Sequence, residues 1–146
     1  MTELMMTPTD FFDTLGAPLK NVRWSWGARR EQDGTVFLRV WQDEMEISDG
    51  SRYVRLTNSQ KAENYKEQNQ GYKPGYQERR EHIELIKNGA KCYLIMCEAV
   101  NDDAAKRQIK DFDKDRLFPA GKVMQRNDDW WAELLPPVPV RQVKLS

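Results

Sequence analysis

Histidine and cysteine are scarce in this chain of 146 residues, which contains one His and two Cys. Structural zinc sites draw most of their ligands from these two residue types, so a metal site is not expected. Cys92 and Cys97 lie five positions apart in one expected strand, where their side chains point to opposite faces and do not easily pair. We expect both thiols to be reduced and buried, and His82, which has charged neighbours, to lie at or near the surface.

The sequence also lacks the signatures of common catalytic sites. It has no glycine-rich phosphate loop, no paired-glycine dinucleotide motif and no Gly-x-Ser-x-Gly turn. Asp111, Asp113 and Asp115 alternate and could gather a divalent cation, but basic neighbours neutralise them, which favours a solvated turn. We therefore predict no catalytic residue, no metal and no cofactor, and an enzyme is the less favoured class of protein.

Long apolar runs are missing as well. The most apolar run, Cys92 to Cys97, is much shorter than the roughly 20 residues that span a bilayer, and the N-terminus has no secretory pattern. We therefore expect a cytoplasmic protein without membrane contact. The length fits a single domain over residues 1–146, with the Pro-rich residues 136–146 as an extended C-terminal tail.

Neither sign of charge is in excess, because 23 Lys and Arg balance 23 Asp and Glu. A neutral chain is unsuited to coat nucleic acid by charge alone. Basic residues are nevertheless concentrated between Arg52 and Lys91. That concentration indicates a weakly basic face, although most such clusters are simply solvated.

Turn and cap signals divide the chain into short elements. Asp33-Gly34 supplies the positive φ of a tight turn and predicts a hairpin from Val22 to Trp41. Further hairpins are expected over residues 45–56 and 122–135, helices over 8–15, 75–88 and 101–112, a buried strand over 91–100 and a polar loop over 57–74. This order favours an α+β domain in the form of a small curled, partly closed β-barrel with two or three short helices.

Tryptophan carries the strongest remaining signal. Trp24 and Trp26 share one face of the first predicted strand, and Trp41 ends the strand that pairs with it. Two interpretations stay open, because such a cluster either fills the core or forms a pocket that stacks on a flat ring. The residues that could hydrogen-bond to the edge of such a ring are Ser25, Arg39 and Gln42.

Three segments together resemble a known family: Trp24–Ala28, Val36–Trp41 and Gly75–Ile83. They are similar to the PUA-like sensor domains of bacterial modification-dependent restriction systems and prophage regions, which are often fused to a nuclease of the His-Asn-His type. The resemblance implies a PUA-like barrel whose aromatic pocket accepts a modified base flipped out of a DNA duplex. It thus implies DNA as the partner.

The resemblance also implies roles for individual residues. Trp24, Trp26 and Trp41 would form the walls of the base pocket. Arg39 and Tyr53 would contact the edge or face of the base. Residues 1–146 contain no nuclease motif of that type, so cleavage would need a nuclease or another protein as partner. The implied phosphate contacts are Arg79 and Arg80.

Three functional hypotheses follow from these observations. The leading one is a non-catalytic nucleic-acid-binding module that reads a modified or flipped base. The second is a protein-interaction module, phage- or prophage-encoded, that docks a partner through an exposed member of Trp130-Trp131 and the C-terminal tail. The third and weakest is a small-molecule enzyme that would use a carboxylate such as Glu98 or Asp102.

Overall fold

A computed structural model describes residues 6–100 and 108–144. No helix within these residues has the length and apolar composition needed to cross a membrane. Two short 3₁₀ helices cover Gln42–Glu44 and Val140–Gln142. The described α-helices and strands are α1 (Pro8–Thr14), β1 (Gly27–Arg29), β2 (Val36–Trp41), β3 (Met45–Ser48), β4 (Ser51–Arg55), α2 (Ser59–Asn69), α3 (Pro74–Lys87), β5 (Cys92–Ala99), β6 (Ile109–Phe112), β7 (Arg116–Arg126), β8 (Asp129–Leu134) and β9 (Val138–Pro139).

The strands form one sheet with two open ends. Hydrogen-bonded neighbours follow the order β1-β2-β5-β7-β8-β4-β3, with β6 beside β5 and β9 beside β7. The first part of β7 pairs with β5 and its second part with β8, and the register shifts between Ala120 and Val123. Such an irregularity bends a strand. The α+β class is confirmed, but among the described strands β1 and β3 end the path unpaired with each other, so the sheet is not closed into a barrel.

The bend in β7 divides the sheet into a first half, β1, β2, β5 and β6, and a second half, β8, β4 and β3. Alternate residues of the first half face opposite ways, which explains the apolar character of both faces of β2 and β5. Phe37 and Ile95 pack with α1 in one cluster. Leu38 and Leu94 pack on the other face against the second half and Ile83 of α3. Both faces of the first half are therefore covered.

Several local predictions are confirmed. Helix α1 begins after Thr7, which forms a reciprocal capping box with Asp10. The turn between β1 and β2 has Gly34 at φ 77°. Helix α3 and strand β5 lie where the pattern predicted them, and the free thiols of Cys92 and Cys97 are buried in different core clusters.

The first strand of the Val22–Trp41 hairpin is much shorter than predicted. Only Gly27–Arg29 pairs with β2, and the chain before it forms a turn. The carbonyl of Asn21 accepts hydrogen bonds from the backbone N–H groups of Trp24 and of the residue after it. This turn replaces the strand, so Trp24 and Trp26 do not share a strand face.

Two other segments also differ from expectation. Residues 57–74 were expected to form a loop, but they contain α2, which Asn58 caps by accepting a hydrogen bond from the N–H of Lys61. Only Ala62 of this helix is buried, so the sequence has no apolar stripe that would reveal it. The helix expected over 101–112 is wrong at its end, where β6 is a strand, and residues 101–107 lie outside the described part.

The C-terminal segment is part of the core and not a free extended tail. Val138–Pro139 pairs with the start of β7, and a 3₁₀ turn follows. Val140 and Val143 are buried in the cluster that contains α1. Apolar burial therefore bends the segment back, although its prolines favour extended backbone.

Replacing Gly75 with Ala should destabilise the fold by about 1–3 kcal/mol, the usual cost of an overpacked site. A Cβ at this position would lie 2.5 Å from Cε2 of Trp26 and 2.6 Å from the carbonyl oxygen of Trp24. Gly71→Ala is the matched control, because its Cβ would meet no atom within 4 Å. Urea unfolding checks both, and equal midpoints for Gly75→Ala and wild type would contradict this packing.

Candidate functional site

The structure does not bring the predicted pocket residues together. Trp24 lies in the turn before β1, and Trp26 packs beneath α3, where the Arg79 guanidinium lies 5.9 Å from its ring centroid. Trp41 packs against the cluster around α1, which is on the other face of the first half-sheet. Tyr53 lies on the second half-sheet, in register with Glu133. Trp41 and Tyr53 therefore lie apart from Trp24 and Trp26.

Arg39 lies on the same face of β2 as Phe37 and Trp41. Its guanidinium is partly buried, and its Nε has no hydrogen-bond partner. Burial lowers its pKa, while Cys97 and Glu78 act in the opposite direction. Arg39 is thus an internal cation and does not border either of the two grooves described below.

Arg79 is buried and serves the fold. It is 4% exposed. Its Nη2 donates to the carbonyls of Trp26 and Arg39 at 3.1 and 2.7 Å, and its Nη1 donates to the carbonyl of Leu56 at 3.2 Å. Burial lowers the pKa of Arg79 to about 10, and the charge of Arg39 acts in the same direction. In this position the guanidinium is not exposed to a phosphate, contrary to the role that the resemblance implied.

Two further polar groups lie on the inward face of α3. Glu78 accepts a hydrogen bond from Ser25 at 3.0 Å, and desolvation raises its pKa. His82 is buried and not at the surface as expected. Desolvation and then the charge of Arg79 lower the pKa of His82 to about 4, so the ring is neutral at physiological pH. The helix therefore carries a polar face into the interior.

The outward face of α3 borders an open groove of about 470 Å³. The hairpin β7–β8 forms the opposite wall, and Tyr72, from the connection between α2 and α3, adds a ring. The volume falls within the roughly 300–1,000 Å³ of small-ligand sites. This surface, called the aromatic groove below, is lined by Tyr72, Tyr76, Gln77, Arg80, Glu81, Ile83, Glu84, Gln125 and Trp130.

Each of the three large rings of the aromatic groove has a cation near it. Arg80 lies 5.9 Å from the ring centroid of Tyr76, and the ammonium groups of Lys66 and Lys87 lie 4.8 and 4.6 Å from those of Tyr72 and Trp130. The rings of Tyr72 and Tyr76 are 5.1 Å apart and tilted by 38°. Cation–π pairs of this type are favourable even at exposed sites. The groove therefore combines aromatic faces with positive charge.

The polar side chains of the aromatic groove differ in whether they already have a hydrogen-bond or ion-pair partner. Gln77 donates through Nε2 to the carbonyl of Tyr72 at 2.9 Å, which leaves its Oε1 as an acceptor. Glu84 pairs with Lys87 at 3.1 Å. Arg80 and Glu81 form no ion pair with any described residue. The site thus retains one cation and one carboxylate that are available to a ligand.

Sequence reasoning found only part of this groove. Arg80 was predicted to contact a ligand, and it lies here. Tyr72 stands in the segment predicted to be a loop and Tyr76 within the predicted helix over 75–88, so neither was predicted to line a site. Trp130 was noted only as one of an adjacent pair. For the two tyrosines, the nearby Lys and Arg residues of α2 and α3 were the signal that could have indicated the groove.

Trp131 lies on the opposite face of β8 from Trp130. It is only 8% exposed because the guanidinium groups of Arg55 and Arg126 each lie 5.7 Å from its ring centroid. Arg55 in turn pairs with Asp129 at 2.5 Å. Trp131 is thus the buried member of the pair, and Trp130 is the member that borders the aromatic groove. The adjoining groove of about 160 Å³ is lined by two ion pairs, Arg55–Asp129 and Arg126–Glu46.

Three of the carboxylates considered for metal binding or catalysis have other partners: Asp111, Asp113 and Glu98. Asp113 accepts from the backbone N–H groups of Asp115 and Arg116, and Asp111 pairs with Lys114 at 2.8 Å. Within the described residues, no three His, Cys, Asp or Glu side chains are grouped closely enough to hold a metal. Glu98 is exposed and pairs with Lys110, and Asp102 lies outside the described part.

Comparison with known proteins adds no family assignment. No protein-family model, no curated protein and no solved structure matches the chain.

Lowering the pH from about 6.5 towards 4 should destabilise the protein through His82. Its ordinary pKa is 6.5, whereas the folded value is about 4, so in this window the unfolded chain binds the proton more tightly. The free energy of unfolding should fall by up to about 3 kcal/mol. Glu78 opposes this trend, because its raised pKa favours the folded state as the pH falls.

Urea unfolding across this pH range separates the two contributions when wild type is compared with His82→Leu. The variant should lose less stability than wild type between the two ends of the window. Parallel profiles for the two proteins would show that His82 does not titrate abnormally.

Proposed function

We propose that this chain is a non-catalytic nucleic-acid-binding module that holds an unpaired or flipped base, modified or not, in the aromatic groove. The observation that carries the proposal is the association of three rings with nearby cations in one groove. Aromatic side chains stack on bases for about 1–3 kcal/mol per base, and Arg or Lys beside them contacts phosphate. Arg80 is the cation best placed for this, since it lines the groove and forms no ion pair with a described residue.

The groove also indicates what form of nucleic acid it would accept. It is open to solvent, which suits a base displaced from its stack. The chain as a whole is neutral, and Glu81 and Glu84 line the groove, so few phosphates would be neutralised. Single-stranded binding loses affinity with salt at a logarithmic slope of about −0.7 per phosphate contact. We expect a shallow slope that corresponds to about one to three contacts.

The relation to PUA-like sensor domains belongs to the same proposal. It is supported by the presence of a groove lined by aromatic residues on a small α+β domain. The base site proposed here differs from the one that the sequence segments implied, because Trp24, Trp26 and Trp41 lie elsewhere. DNA, including modified DNA, remains the proposed partner, and any cleavage would come from a separate nuclease.

Tyr76→Ala should weaken binding of a fluorescently labelled single strand by about 1–3 kcal/mol through loss of stacking. Arg80→Gln should weaken it too and make the salt slope shallower, because one phosphate contact is lost. Fluorescence anisotropy at several salt concentrations measures both effects. Single strands, matched duplexes and duplexes with a mismatch are the probes.

Arg23→Gln is the matched control for Arg80→Gln. It removes the same charge from an exposed position beside Trp24, where the sequence had predicted the pocket. It should leave affinity nearly unchanged. If Arg23→Gln weakened binding and Arg80→Gln did not, the site would lie near Trp24. Absence of binding to every probe at low salt would overturn the proposed function.

A protein-interaction module is the second candidate, and one observation favours it. Strand β3 ends the sheet, and its Ile47 is 77% exposed. Edge strands with exposed apolar side chains can pair with another chain. The C-terminal segment no longer supports this candidate, since Val140 and Val143 are buried in the protein's own core. Under this alternative, Tyr76→Ala and Arg80→Gln would have no effect on partner binding.

A further inference from the structure

We propose that the aromatic groove selects bases that present an exocyclic amino group, and that Glu81 is the residue that makes this selection. The inference rests on the proposed function and names the ligand class more closely. The preferred bases would be cytosine, adenine and guanine, and the disfavoured ones thymine and uracil.

Helix α3 presents two rows of side chains to the groove. Residues four apart lie on the same face of a helix. Tyr76 and Arg80 form one row, which offers a ring face and a cation. Gln77 and Glu81 form the adjacent row, which offers hydrogen-bonding groups. A base stacked on the first row would therefore extend its edge towards the second.

The second row consists mainly of acceptors. The Nε2 of Gln77 is already used in its hydrogen bond to the carbonyl of Tyr72, so Oε1 is the atom left for a ligand. The carboxylate of Glu81 is an acceptor and has no N–H to donate. It forms no hydrogen bond or ion pair with the described residues, unlike Glu84, which pairs with Lys87. The edge of the bound base must therefore supply donors here.

Bases differ in the hydrogen-bond donors that their edges present. Cytosine presents the N4 amino donor, to which Glu and Asp are matched, and adenine and guanine also carry amino groups. Thymine and uracil present carbonyl oxygens on both sides of a single N–H. An oxygen placed against Glu81 would repel the carboxylate and leave its charge without a partner while it loses water. The groove should therefore discriminate against these two bases.

Oligonucleotides of deoxycytidine and deoxyuridine give the sharpest test. Both bases are pyrimidines of similar size, and they differ in the group at C4 and in the protonation of N3. At mildly alkaline pH and low salt, fluorescence anisotropy should show that wild type binds the cytosine strand at least about fivefold more tightly. In Glu81→Gln this ratio should fall towards one, because an amide can also donate to a carbonyl.

Glu31→Gln is the matched control, since it removes one negative charge from the exposed turn between β1 and β2, away from the groove. It should keep the wild-type ratio. Two results would overturn the inference while leaving the proposed function intact: equal wild-type affinity for both strands, or a Glu81→Gln variant that binds both more tightly with an unchanged ratio. Failure of wild type to bind either strand or any other probe would instead remove the proposed function.

Discussion

The placement of α3 depends on the buried guanidinium of Arg79. Its donors reach three backbone carbonyls: Trp26 just before β1, Arg39 in β2 and Leu56 just after β4. These carbonyls come from both halves of the sheet, so one side chain joins the helix to each of them. A buried cation without hydrogen bonds would be very unfavourable, and the three acceptors make the position tolerable. Removing the side chain would therefore leave several buried carbonyls with one partner fewer.

The two faces of α3 differ in their surroundings: the inward face packs into the fold, and the outward face borders the groove that we propose as the base site. The inward face carries Glu78, Arg79 and His82, whose pKa values are all shifted first by desolvation. The outward face carries Tyr76 and Arg80 into the aromatic groove. Because Gly75 packs against Trp26, the start of the helix has little freedom to move. The groove therefore has one firmly held wall, which suits a site that must present rings in a fixed position.

Local patterns predicted much of the secondary structure but little of the site. The capping box at Thr7, the glycine turn at Gly34 and the two-sided apolar pattern of β5 each depend on nearby residues, and each is confirmed. Helix α2 was missed because it buries only Ala62 and has no apolar stripe. The predicted base pocket was built on the assumption of one continuous strand through Trp24 and Trp26. Because the chain instead forms a turn at Asn21, no such continuous strand exists.

The sequence by itself determined where the chain turns, which strands are buried on both sides, that both thiols are buried apart from each other, and that the domain is α+β. These features follow from residue type and spacing. Only the tertiary structure decided that Arg79 is internal while its neighbour Arg80 borders the groove, and that the C-terminal valines return to the core. Adjacent residues on a helix point about 100° apart, so their environments depend on what packs against each face. That packing brings together residues that are distant in sequence, so a local sequence pattern does not predict it.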